Sequence, residues 1–183
     1  MATNGGMQDV SNRESLFKSW LAEYHGILFR VSRSYARSAS EAMDLEQELR
    51  LQLWNSLPAF SGKAKPSTWI YRVCLNTALT WLRTRTRHER KFDPDAELNR
   101  IPSANTSPVD HASEAEILEK LYASIQSLPD FDRALVLLSL DGVSYREIAE
   151  ITGLSEGNIG MSLTRARQRL TNLMKGVTHE LGK

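Results

Sequence analysis

With one cysteine, Cys74, the chain has no internal disulfide. Its place between Val73 and Leu75 suits a small buried hydrophobe in a reducing compartment. No apolar run approaches the roughly 18 residues that span a bilayer, and the polar start from Met1 to Ser11 lacks the apolar middle of a secretory signal. Both absences predict a cytoplasmic protein without membrane insertion. The four histidines, His25, His88, His111 and His179, stand too far apart for a close-spaced metal motif. The glycines match neither a phosphate loop nor a dinucleotide fingerprint. No metal, no cofactor and no catalytic group is therefore expected. Asp44, Glu46 and Glu48 read as a solvated helix face, because helical neighbours two apart point in different directions. Excess charge of one sign is also missing: the net value is +1, so the total says nothing about nucleic acid. Alternating β-branched strands with hairpin turns are scarce, which leaves an all-α chain.

What the chain does have is local. Tyr145 to Thr152, Gly153, and Ser155 onward read as two helices joined by a tight turn. Ile148, Ala149 and Ile151 give the first a buried face, and Ser155 is a good N-cap for the second. In that second helix Ile159, Leu163, Ala166 and Leu170 recur at helical spacing. Asn158, Met161, Ser162, Arg165 and Arg169 are left on other faces, where a helix in a DNA major groove presents its reading residues. No acidic residue interrupts Arg165 to Lys175. These features predict a DNA-binding helix-turn-helix.

Upstream, Leu16, Trp20, Tyr24, Ile27, Val31 and Tyr35 mark one amphipathic helix, and Leu45, Leu49 and Leu53 a second, capped within Ser38-Ala39-Ser40. Ser67 or Thr68 is expected to cap a third, with Ile70, Val73, Cys74, Thr77 and Trp81 facing inward. Between Lys63 and Lys91 the sole acidic residue is Glu89, against Lys63, Lys65, Arg72, Arg83, Arg85, Arg87 and Arg90. Phe60, Trp69 and Tyr71 lie at the start of this stretch, and aromatics beside a basic groove suit single-stranded nucleic acid. The stretch from Phe92 to Ser113, with Pro94, Pro102 and Pro108, reads as a flexible linker spanning roughly 25 Å on average. The expected organisation is a loose tip over 1–12, a helical domain over 13–91, a linker over 92–113, a helix-turn-helix domain over 114–175 and a tail over 176–183.

Asp44-Leu45-Glu46-Gln47-Glu48 leading to Leu53-Trp54, Phe60-Ser61-Gly62, Ser67-Thr68-Trp69-Ile70-Tyr71-Arg72, Asn76-Thr77-Ala78-Leu79, Leu128-Pro129 and Tyr145-Arg146-Glu147-Ile148-Ala149 together resemble a bacterial RNA polymerase sigma factor of the extracytoplasmic-function type. The resemblance implies a sigma2-like domain that binds the beta-prime clamp of core RNA polymerase and opens the minus-ten element. It also implies a sigma4-like domain at the beta flap that reads the minus-thirty-five element. Carried over, Asp44, Gln47, Glu48 and Trp54 dock on the polymerase. Phe60, Lys63, Lys65, Ser67, Thr68, Trp69, Arg72, Asn76 and Arg83 serve the minus-ten DNA, and Tyr145, Ser155, Asn158, Met161, Ser162, Arg165, Arg167 and Arg169 the minus-thirty-five DNA. Promoter DNA and an anti-sigma factor are the further implied partners.

One departure stands out. Many relatives carry two closely spaced basic residues where this chain has Gly160-Met161-Ser162. Weaker or altered minus-thirty-five readout follows, leaning on Asn158, whose amide can pair with adenine. The competing reading is a stand-alone helix-turn-helix regulator that binds palindromes as a dimer.

Overall fold

The computed structural model describes the backbone over residues 4–92 and 114–181, and side chains over 11–88 and 115–175. Except for Phe92, the expected linker lies outside these residues. Seven α-helices make up the described chain, with no strand among the described residues: α1 (Asn4–Tyr35), α2 (Ala39–Ser56), α3 (Pro66–Phe92), α4 (Glu114–Gln126), α5 (Asp130–Leu140), α6 (Tyr145–Thr152) and α7 (Glu156–Leu181). A single 3-10 turn, Leu57–Ala59, follows α2. Two helix ends differ from expectation. α1 begins at Asn4, so residues 4–12 are helical where a loose tip was expected, and α7 continues to Leu181 through most of the expected tail.

In the N-terminal half, α1, α2 and α3 pack on one another through faces set by helical periodicity. Trp20, Ile27, Leu28, Val31 and Tyr35 come from α1, and Leu45, Leu49 and Leu53 from α2, all buried. Each leucine taken fully out of water stabilises by about 1.5–3 kcal/mol. The inner face of α3 is rotated from the expected one. Ile70, Tyr71, Cys74, Leu75 and Ala78 are buried, whereas Val73, Thr77 and Trp81 are only partly so. The small side chains of Cys74 and Ala78 permit the close approach of neighbouring helices. Nor do Ser67 and Thr68 cap this helix. It starts at Pro66, where a proline is well placed because the first helical N–H has no intrahelical partner. The Cys74 thiol, enclosed on all sides, is pushed up to about 12 by burial and is inert.

In the C-terminal half, Ile125, Leu128, Leu135, Leu138, Ile148, Ile159, Leu163 and Ala166 form the interior. Ser144 caps α6 with a reciprocal box: its hydroxyl accepts from the Glu147 N–H, while the Glu147 carboxylate accepts from the Ser144 N–H at 3.1 Å. Gly153 ends the helix at φ +77, a left-handed conformation that only glycine adopts without strain. Ser155 caps α7, accepting from the Asn158 N–H at 3.4 Å. Gly160 lies against α6: a Cβ there would stand 3.7 Å from Tyr145 Cε2, an ordinary contact.

The halves touch. Tyr35 at the end of α1 donates to the Asp130 carbonyl at 3.2 Å, and the Arg133 guanidinium stacks over its ring at 4.8 Å. Arg133 is itself buried and donates to the Gln126 and Leu128 carbonyls, which fixes the α4–α5 corner against α1. Burial lowers the pKa of this guanidinium. On the same side Gln126 Nε2 donates to the Arg33 carbonyl at 2.8 Å, and Arg30 Nε stands 2.7 and 2.8 Å from the two Asp141 carboxylate oxygens.

Candidate DNA and polymerase interface

Helix α2 turns Leu45, Leu49 and Leu53 inward, so the residues between them face out. Asp44 and Gln47 are exposed, beside Met43 at 62% and Leu51 at 51% exposure. Met43, Gln47 and Leu51 follow one another at every fourth position and share a face. Met43 and Leu51 thus add two exposed apolar side chains to the polar outer face of α2. Neither belongs to the set read from sequence, although their offset from the Leu45-Leu49-Leu53 face was available there. Glu48 is half-buried and accepts from Gln52 at 2.8 Å. Trp54 lies elsewhere: its ring meets Phe17 edge-on at 5.2 Å, under the Arg13 guanidinium at 4.0 Å. Arg13 also donates to the Trp54 carbonyl at 2.6 Å. Trp54 thus joins α1 to α2, and its ring is partly withdrawn from any partner.

The loop between the 3-10 turn and α3 is positioned by aromatics. Phe60 packs edge-on against both Trp20, at 4.8 Å, and Trp69, at 5.7 Å. Phe60 and Trp69 are therefore half-buried props of the loop, with less ring surface free for stacking a base than the sequence suggests. Ser61, Gly62, Lys63 and Lys65 are exposed, and Ser67 is half-buried. Thr68 is corrected outright: at 2% exposure its side chain belongs to the interior and does not reach DNA. Along α3, Arg72, Asn76, Arg83 and Arg87 lie on one side of the helix, all exposed but half-buried Arg72. At 1.5 Å per residue this stripe is about 22 Å long from Arg72 to Arg87. Arg85 points away from it, pairing with Glu41 at 2.8 Å and lying over Trp81 at 4.8 Å.

On α7, Asn158, Met161 and Arg165 are exposed along one face, with Ser162 half-buried beside them and Tyr145 of α6 exposed nearby. The arginines at the end of this helix divide. Arg167 donates to the Ser139 hydroxyl, and Arg169 pairs with the largely buried Asp132 carboxylate. An enclosed carboxylate needs a cation, so Arg169 is committed to α5. Arg165 forms no ion pair among the described residues. Ser155, exposed, spends its hydroxyl on the α7 cap.

Two contacts join the candidate surfaces. Lys65 Nζ stands 2.7 Å from Glu147 Oε1, and the Arg72 guanidinium donates to the Glu150 carbonyl. Lys65 and the Ser144 cap hold the Glu147 carboxyl down to about 2. Among the described residues no group of histidine, cysteine and carboxylate side chains can hold a metal, and no helix is long and apolar enough to cross a membrane.

Comparison with known proteins identifies the two halves. The family model for sigma-70 region 2 matches residues 20–88, and that for sigma-70 region 4 matches residues 118–170. The chain is 32% identical over 155 residues to the ECF RNA polymerase sigma-E factor of Escherichia coli K12, covering 81% of this chain and 80% of that one. It is 25% identical over 179 residues to the ECF sigma factor SigE of Mycolicibacterium smegmatis, covering 94% and 68%. Among solved structures, the sigma factor RpoE of Bartonella quintana, in complex with the anti-sigma factor NepR, superposes with a TM-score of 0.68 at 25% identity over 87% of this chain and 96% of that one. CnrH, solved with the cytosolic domain of CnrY, shares the fold with a TM-score of 0.62 at 20% identity, over 93% and 94% of the two chains. The chain belongs to the ECF family of RNA polymerase sigma factors, DNA-binding initiation factors that bind core polymerase and direct transcription from specific promoters.

Proposed function

We propose that residues 13–91 form the half that docks on the polymerase clamp and opens the minus-ten element, and that residues 114–175 form the half that reads the minus-thirty-five element at the beta flap. The observation that carries this reading is the stripe on α3 formed by exposed Asn76 and Arg83 and half-buried Arg72, which leads from the cationic loop at Lys63 and Lys65. Lysines and arginines along such a track hold the phosphates of an opened strand, and a loop at its end receives a base that has left the stack. Asp44, Gln47 and Glu48 on α2 make the polar part of the clamp contact, with Met43 and Leu51 as its apolar part. Trp54 braces the helix from behind.

On α7, Asn158, Met161 and Arg165 face the major groove with Tyr145 and Ser162 at its edge. Arg167 and Arg169 shape the helix through α5 and contribute less to phosphate binding. The chain acts without catalysing a reaction of its own, in the cytoplasm where polymerase works. An anti-sigma protein is a further partner, a reading supported by the solved complex of the Bartonella relative with NepR. The stand-alone regulator is disfavoured by the match to both sigma regions. Size-exclusion chromatography of the chain with core polymerase tests the docking half. Wild type co-elutes, Leu51→Glu with Gln47→Ala separates, and co-elution of both refutes the α2 assignment.

A further inference from the structure

The first turns of α7 present a surface unlike that of its basic end. From Glu156 to Thr164 the helix carries no lysine or arginine, and its one charge is the exposed Glu156 carboxylate. Attraction to phosphates and cation pairs to guanine are therefore closed to this stretch. Ile159 and Leu163 are fully buried beneath it. The outward face is left to exposed Asn158 and to Met161, which is 58% exposed although it is large and apolar. Gly157 lies one turn before Met161 on the same side, and a Cβ built there would meet nothing within 4 Å. Helical side chains lean toward the N-terminus of their helix, so Met161 reaches over a position that has no side chain. The space above it is open, and glycine lets the backbone come close to whatever fills it.

We propose that Met161 reads the C5 methyl of a thymine in the minus-thirty-five element, on the base pair next to an adenine held by Asn158. The inference rests on the placement of α7 at that element given above, and adds the base and the chemical group recognised. In the major groove thymine alone among the four bases offers a methyl, and an apolar side chain meets it without a hydrogen-bond partner. The unbranched thioether of methionine adapts its shape to such a contact. Asn158 and Met161 are three residues apart, about 4.5 Å along the helix, against about 3.4 Å between successive base pairs. Neighbouring base pairs thus lie under the two side chains. Because no charge takes part, the contact changes affinity without changing the salt dependence to which Arg165 contributes.

Uracil keeps every hydrogen-bonding group of thymine and lacks only this methyl. The test uses holoenzyme reconstituted from the full chain and core polymerase, with a duplex promoter fragment recovered by start-site mapping and amplified with mixed thymidine and deoxyuridine triphosphates. Bound and free fragments are separated and cut at uracil. With wild type, uracil at one thymine of the minus-thirty-five element is expected to be depleted from the bound fraction about 3- to 4-fold, the worth of one methyl group taken out of water. Met161→Ala removes that depletion and leaves signals elsewhere in the fragment, and the salt slope of binding, unchanged. Met161→Leu keeps an apolar side chain of similar volume and retains the depletion.

Depletion that is equal in wild type and Met161→Ala overturns the assignment of the methyl to Met161. Absence of depletion in the minus-thirty-five element, with Asn158→Ala and Arg165→Ala still weakening binding, overturns methyl reading and leaves α7 on the DNA. Binding that is indifferent to all three alanine substitutions refutes the placement of α7 itself, and the inference with it.

Discussion

The two basic helices of this sigma factor use their cations differently. On α3, Asn76, Arg83 and Arg87 are exposed in a line, and Arg85, which breaks the line, is drawn aside by Glu41. On α7, Arg167 and Arg169 turn back onto α5, leaving Arg165 to face outward beside Asn158 and Met161. Similar arginine density in sequence thus yields a DNA-suited track in one half and a mostly structural brace in the other. The presence of an acceptor on a neighbouring helix decides which. Under the proposed assignment, this contrast and Gly160-Met161-Ser162 put most of the electrostatic grip on the N-terminal half.

The interiors respond alike, and this sets the scale for everything else. Leu49→Ala in α2 and Leu163→Ala in α7 each empty a fully buried site and are expected to destabilise by about 2–5 kcal/mol in urea or thermal melts. A cost below about 1 kcal/mol at either position would mean that its half is loosely packed. The contrast between arginines is tested next, in promoter complexes of the reconstituted holoenzyme. Arg165→Ala should flatten the dependence of log affinity on log salt by about one unit, the loss of one phosphate contact, while Arg169→Ala leaves the slope nearly unchanged and lowers stability instead. Equal slope changes would erase the distinction drawn between them.

Gly160→Ala should raise stability by about 0.5–1 kcal/mol, since alanine suits a helix interior better and its methyl would meet Tyr145 at ordinary contact distance. Destabilisation would show that α6 and α7 lie closer than described. The smallest effect is that of acid. The Glu147 carboxyl is depressed to about 2 in the folded chain, so its contribution is present above the ordinary carboxylate range near 4.5 and lost as pH falls toward 2. Amide exchange of α6 should rise through that window, and Glu147→Gln should remove this component of the pH dependence. An α6 whose protection is flat from pH 5 to about 2 would contradict the assignment.

Much of this was readable from residues alone. Leu45, Leu49 and Leu53, or Ile159, Leu163 and Ala166, lie on buried faces as their spacing predicts, because helical period and apolar identity leave little choice. Gly153 and Ser155 perform the turn and cap expected of them. Errors arose where several faces were equally apolar. On α3, Val73 and Trp81 compete with Tyr71 and Leu75, and only packing against α1 and α2 selects the latter pair. Which members of the proposed polymerase and DNA faces are exposed was not legible. Thr68 and Trp54 look accessible in sequence, yet packing buries the first and partly covers the second. The contact between Arg72 and Glu150 bridges 78 positions, far beyond the reach of local periodicity.

Transcription by core polymerase on fragmented genomic DNA of the encoding organism, with start sites mapped in the presence and absence of the purified chain, is the most direct test. The account predicts starts that appear only with the chain and that Arg72→Ala with Asn76→Ala abolishes or sharply weakens. Identical start sites and rates with and without the chain would contradict it.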